Sequence, residues 1–144
     1  MATIRQVLDK KGHEVFSVGL DETVYDSIKK MADKNVGSLV VMEGNKLIGI
    51  ITERHYARNV VLKGRASPTT PVRDIMETNV VFARPDQSVE ECMAIMTEQA
   101  VRHLPVIEQG NVVGIVSIGD LVKEKIRDQT FVIEQLVQFI HGGR

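Results

Sequence analysis

The sequence predicts an α+β fold of two tandem βαββα copies, packed face to face about a pseudo-twofold axis and followed by a C-terminal helix. Three observations lead there. Gly49-Ile50 recurs as Gly114-Ile115, and the same offset of 65 pairs Asp21 with Asp86, Met31 with Met96, Val36 with Val101, Leu39 with Leu104 and Glu43 with Glu108 without a gap. Each copy repeats one succession: a hydroxyl cap, a helical apolar pattern, a hairpin and a second helical pattern. Beyond the second copy, Ile133, Leu136, Val137 and Ile140 stand at i, i+3, i+4, i+7.

The elements follow in order. Ile4–Leu8 corresponds to Val72–Met76 at an offset of 68, so the first copy carries three extra residues near Lys10–His13. Thr23 and Ser88 are hydroxyl N-caps ahead of Val24, Ile28, Met31 and of Val89, Met93, Met96, which predicts an amphipathic helix in each copy. Leu39–Met42 and Leu47–Ile51 flank a Gly/Asn turn, as do Leu104–Ile107 and Val112–Val116, and both pairs read as hairpins. A second helix is expected from near Thr52, with Tyr56 and Val60, and from near Ser117, with Leu121, Val122 and Ile126. Lys63–Pro71 holds the turn formers of a linker, and Thr130 would cap a last helix that Gly142-Gly143 ends. The expected division is residues 1–66, 67–129 and 130–144. One copy of about 60 residues buries too little surface to be comfortably stable, so the two should share an interface containing two equivalent clefts.

Composition limits the function. The chain has 144 residues, a net charge of −1 and 43% hydrophobic residues, enough for a sizeable core. Without a basic patch, nucleic-acid binding is disfavoured. Cys92 is the single cysteine, and His13, His55, His103 and His141 show no metal-type spacing with it, so no metal site is expected. Neither a signal peptide nor a membrane span is legible, which points to a cytoplasmic protein away from the membrane. The chain has no G-x-S-x-G, HExxH or P-loop pattern, so no catalytic residues are assigned and an enzyme is not expected. Cys92 reads as core filler rather than a nucleophile, and Arg58 as part of a solvated helix face.

The informative positions are the strand-to-helix junctions, Gly49-Ile50-Ile51-Thr52-Glu53-Arg54-His55 and Gly114-Ile115-Val116-Ser117-Ile118-Gly119-Asp120. A hydroxyl beside free N–H groups at a helix start favours a phosphate, and an acidic side chain one turn on can accept from a ribose diol. Ser117-x-x-Asp120 equally fits a capping box, and both readings can hold together.

With these junctions, the duplicated pattern from Ile4 to about Lys125 resembles a tandem pair of cystathionine-β-synthase (CBS) domains of the free-standing bacterial type. The resemblance implies a non-catalytic sensor that dimerises and binds adenosine-bearing ligands (AMP, ADP, ATP, NAD or S-adenosylmethionine) in the inter-repeat clefts. In one cleft it implies Asp120 on the ribose, Ser117, Gly119 and Arg102 near the phosphate, and Ile115 on the sugar or base. Thr23 and the backbone of Val36-Gly37-Ser38 would hold the adenine there. The mirror cleft would use Ile50, Thr52, Arg54, Ser88, Val101, Arg102 and His103, with His55 at the acidic position. A neutral imidazole does not replace a carboxylate there, whereas a protonated His55 would attract a phosphate, so asymmetric sites are expected. The competing reading is a ligand-free dimerisation or interaction module with an unidentified protein partner, in which Ser117 and Asp120 only cap their helix; on either reading residues 130–141 form a dimer or partner contact or pack on their own module.

Overall fold

A computed structural model describes residues 2–141. Its two compact units do not coincide with the two sequence copies: one is Glu14–Val80, and the other joins the stretch ending at His13 to the chain from Val81 onward. The difference lies in the leading segments. Thr3 opens helix α1 (Ile4–Lys11) through a capping box with Gln6, and the buried face Ile4, Val7, Leu8 joins the core of the second copy with Val89, Cys92, Leu104, Val116 and Leu121. The Ile4 and Arg5 N–H groups donate to the carbonyls of Gln87 and Pro85 at 2.9 and 2.8 Å. Conversely, Val72 and Ile75, which open the second copy, are buried in the core of the first with Val18, Val24, Met31, Leu39, Val41, Ile51 and Val60. Each sheet is therefore covered by the segment that leads into the other copy.

This exchange explains the repeated glycine. A Cβ at Gly114 would lie 2.6 Å from Leu8 Cδ2, and one at Gly49 would lie 2.9 Å from both the Glu77 carbonyl oxygen and Met76 Sδ. Only a bare backbone lets the crossing segment sit this close. At Gly49 the obstacle is backbone, which Ile50 and Glu77 further tie down by reciprocal hydrogen bonds of 3.0 and 2.9 Å. We expect Gly49→Ala to destabilise by about 1–3 kcal/mol in urea unfolding. An unchanged midpoint would mean that the segment moves aside freely.

In the Glu14–Val80 unit, β1 (Ser17–Val18) runs parallel to β2 (Ser38–Glu43), which pairs antiparallel with β3 (Lys46–Thr52). Helix α2 (Val24–Lys34) starts at the Thr23 cap and stops at Asn35, whose φ of 55° is left-handed. Helix α3 (Glu53–Tyr56) runs on into a π-helical turn, Ala57–Val61. The other unit repeats the plan with α4 (Val89–Gln99), β4 (His103–Glu108) and β5 (Asn111–Ser117).

Two expectations are corrected. The strand ahead of α4 is reduced to one parallel bridge, Ala83 to Val106, the counterpart of Val18 to Val41. In the first copy Val40 N–H donates to Phe16 at 3.2 Å, but Pro105 occupies the matching place in β4 and has no N–H to offer. The two helices expected after Ser117, one of them capped by Thr130, are a single helix α5, Ile118–His141. No glycine or proline interrupts the chain between Asp120 and His141, and an interior threonine costs a helix only a few tenths of a kcal/mol. The boundary at 129/130 therefore falls inside a helix, and Gly142-Gly143 lie outside the described residues.

Candidate functional site

The hairpin register sets the site in each unit. Ser38 pairs with Thr52, and His103 with Ser117, so the start of one strand lies beside the end of the next. Glu53 N–H donates to the Gly37 carbonyl at 3.2 Å and Ile118 N–H to the Arg102 carbonyl at 2.9 Å, fixing each helix start against the strand start. Gly37, Ser38, Thr52, Arg54 and His55 thus share one sheet end. In the other unit, Val101, Arg102, His103, Ser117, Gly119 and Asp120 do the same, while Ile115 pairs with Pro105 and Ile50 with Val40 two residues along the hairpins. Thr23 and Ser88 act as caps: Thr23 Oγ1 accepts from Asp26 N–H at 3.1 Å and Ser88 Oγ from Glu91 N–H at 3.0 Å.

At α5 the capping box is formed. Asp120 N–H donates to Ser117 Oγ at 3.2 Å, and Ser117 N–H to Asp120 Oδ2 at 2.8 Å. A third partner is one that sequence reasoning missed: Lys11 Nζ lies 2.7 Å from the same Oδ2 and 2.8 Å from the Ile115 carbonyl. Burial pushes the half-buried Asp120 carboxyl up, but Lys11 and the Ser117 N–H outweigh it and hold the group below its ordinary value of 3.8. Asp120 is thus a fixed carboxylate with acceptor capacity left over, because a carboxylate offers about four lone-pair sites. The signal for Lys11 was the break in the repeat register at Lys10–His13. The extra residues give α1 a full helical run where the other unit has a single 3₁₀ turn, Val72–Asp74. In that unit Glu77 N–H satisfies the Ile50 carbonyl, whereas here the Lys11 ammonium satisfies Ile115. Lys10 reaches Glu124 at 2.8 Å, and Glu124 is buried.

At α3, His55 takes over the capping role. Thr52 N–H donates to His55 Nδ1 at 3.1 Å, and His55 N–H to Thr52 Oγ1 at 3.2 Å, so the ring proton belongs on Nε2. Burial lowers the His55 pKa below 6.5; Glu77 opposes this, while Arg54 and Arg58 reinforce it. Burial therefore favours the neutral imidazole, one of the two forms considered from the sequence. The unfolded chain binds this proton more readily than the folded one. Stability from His55 is full above about pH 6.5 and is lost as pH falls toward the lower folded pKa. The depressed carboxylates Asp120, Glu108 and Glu124 lose theirs only in a lower window, below about pH 4. We expect His55→Gln to flatten the decline in unfolding midpoint between pH 7 and 5. A parallel decline in both proteins would remove His55 as its source.

The Glu14–Val80 unit also holds an open pocket of about 780 Å³, lined by Met31, Ala32, Val36, Gly37, Glu53 and Arg54 among others. The sequence reading placed Val36 and Gly37 in one cleft and Arg54 in the other, yet all three line this pocket. Cys92 is buried, and desolvation, helped by Glu91, pushes its thiol up to about 11, leaving it unreactive at neutral pH. Among the described residues, no group of three or more His, Cys, Asp or Glu side chains could hold a metal ion, and no helix is long and apolar enough to cross a membrane.

Comparison with known proteins agrees with this architecture. The CBS domain family model matches twice, at residues 4–61 and 72–127. The mitochondrial CBS domain-containing protein CBSX3 of Arabidopsis thaliana is 39% identical over 98% of this chain and 73% of its own length. A CBS-domain protein of Burkholderia ambifaria, 48% identical, superposes with a TM-score of 0.86 over 89% of this chain and 96% of that one. At 22% identity the CBS domain pair of protein MJ0100, solved with 5′-methylthioadenosine and S-adenosyl-L-methionine, has the same fold, with a TM-score of 0.78 over 89% and 98% of the two chains. With its two exchanged leading segments and paired strand-to-helix junctions, this chain belongs to the CBS domain family as a tandem pair.

Proposed function

We propose that the chain is a regulatory sensor that binds an adenosine-containing nucleotide at the Ser117–Asp120 junction and acts by binding rather than catalysis. The observation carrying this is Asp120, an ionised carboxylate fixed at a helix start beside the Lys11 ammonium. A ribose diol offers two donors to such a group, and the positive helix end with Lys11 favours the phosphate that follows. Ser117 and Gly119 lie where a phosphate would meet the α5 start; Gly119, lacking a side chain, has only Ser117 Oγ, at 3.6 Å, near the place of a Cβ. The neutral His55 cap makes the Thr52 junction the weaker site for a nucleotide. In this proposal the module works as a cytoplasmic homodimer, in the reduced state that suits its free thiol.

The test is thermal unfolding of ligand-stripped protein with AMP, ADP, ATP, NAD and S-adenosylmethionine, with guanosine nucleotides as controls. Binding to the folded state alone adds about 2.7 kcal/mol at one hundred times the dissociation constant, a rise of several degrees. A rise confined to adenosine compounds supports the sensor. Its absence at millimolar ligand supports the second reading, an interaction module, which is favoured by the partners Asp120 already has in Lys11 and Ser117.

A further inference from the structure

Helix α5 carries two different faces. Its first turns pack on their own unit through Leu121 and Glu124, both buried. A second strip, Val122, Ile126, Ile133, Leu136 and Ile140, with Val137 beside it, is centred roughly 130° round the axis from that inward face, and Val132 and Phe139 border it on the side toward the line of Leu121. Its side chains are open to water, from 39% at Val122 to 70% at Ile140. Because the strip does not continue the inward face, packing α5 on its own unit does not cover it.

We propose that this strip pairs with the same strip of a second copy, as a parallel two-stranded coiled coil over Val122–Ile140. The sequence sets the register. Ile126, Ile133 and Ile140 fall at successive a positions and Val122, Gln129 and Leu136 at d. Isoleucine at a with leucine at d is the combination that favours two parallel strands. Gln129 selects the direction, since in a parallel pair d meets d and the two amides bond to each other. In an antiparallel pair Gln129 would face an isoleucine and lose its partner. Arg127, Asp128, Glu134, Gln135 and Gln138 occupy outward positions, together with the exposed Phe131. These eight apolar side chains leave on the order of 800 Å² open to water per copy, an upper bound on what pairing buries and comparable to each partner's share of a standard specific interface. The pairing is independent of the nucleotide reading.

Light scattering at tens of micromolar protein tests it. The wild type should have at least twice the 16.0 kDa chain mass, and Ile133→Glu/Leu136→Glu should halve the wild-type value. Both positions are exposed, so the variant should keep its unfolding midpoint at matched low concentration and any nucleotide-induced rise. A wild type of single-chain mass, or an unchanged variant mass, overturns the proposal. Direction is read from Leu136→Cys under mild oxidation: a disulfide between identical positions supports the parallel pair, and failure to cross-link rejects it. The buried Cys92 thiol does not compete.

Discussion

Leu8→Ala is expected to destabilise the unit that contains most of the second sequence copy by about 2–5 kcal/mol, although Leu8 belongs to the start of the first. Leu8 is 1% exposed, its methyls rest against the bare backbone of Gly114, and its neighbours in the core include Val116 and Leu121. Truncation leaves a cavity that neither a strand nor a helix start can collapse to fill. Hydrogen exchange should report this regionally: β4, β5 and α4 amides should exchange roughly a hundredfold faster, at about 1.4 kcal/mol per factor of ten, while β2 and β3 change little. The converse variant, Val72→Ala, should accelerate β2 and β3. Faster exchange confined to β2 and β3 in Leu8→Ala would contradict the exchange of leading segments.

Asp120→Ala should reduce affinity for an adenosine nucleotide by tens-fold to a hundredfold, because each hydrogen bond to a charged acceptor contributes about 1.5–3 kcal/mol. The substitution also removes a cap, worth about 1 kcal/mol of stability, and leaves Lys11 without its carboxylate partner. Asp120→Asn separates these effects: its amide oxygen still accepts from Ser117 N–H, but the charge is gone. If both variants lose affinity in calorimetric titration while Asp120→Asn keeps most of the stability, Asp120 acts on ligand. If affinity is retained in both, the carboxylate is only a cap. Lys11→Ala sharpens the assignment further, and should weaken ATP more than adenosine, since only the phosphate gains from the ammonium.

Much of this was legible because it is local. Thr23, Ser88, Thr52 and Ser117 cap as their residue types predict, and the Gly-containing turns close both hairpins in one register. The recurrence of Gly49 at Gly114 marked the repeat, but the close approach of Met76, Glu77 and Leu8 to those bare backbones is seen only in the structure. Three features escaped for non-local reasons. An amphipathic pattern at Ile4, Val7 and Leu8 states that α1 has an apolar face, but not which sheet receives it. The shortened strand at Ala83 depends on a missing donor at Pro105, on a different strand. Lys11 reaches Asp120 across 109 residues of sequence, and no spacing rule covers such a pair. The His55 departure was visible as a residue, but its neutral state follows from burial and two neighbouring guanidinium groups that only coordinates reveal.

The exchanged leading segments also bear on how the chain is made. Every residue of the Glu14–Val80 core has been synthesised once Val80 leaves the ribosome, so that unit can close early. Helix α1 is made before that unit, yet Val116 and Leu121, with which it shares a core, follow more than a hundred residues later. At about 5–20 residues per second that delay is on the order of ten seconds. Meanwhile Ile4, Val7 and Leu8 lack the core that shelters them in the native state, and the loop that must close is long, although its entropy grows only slowly with length. The growing chain is therefore most vulnerable at helix α1, where a substitution that favours premature contacts would lower folding yield without changing the stability of the finished protein.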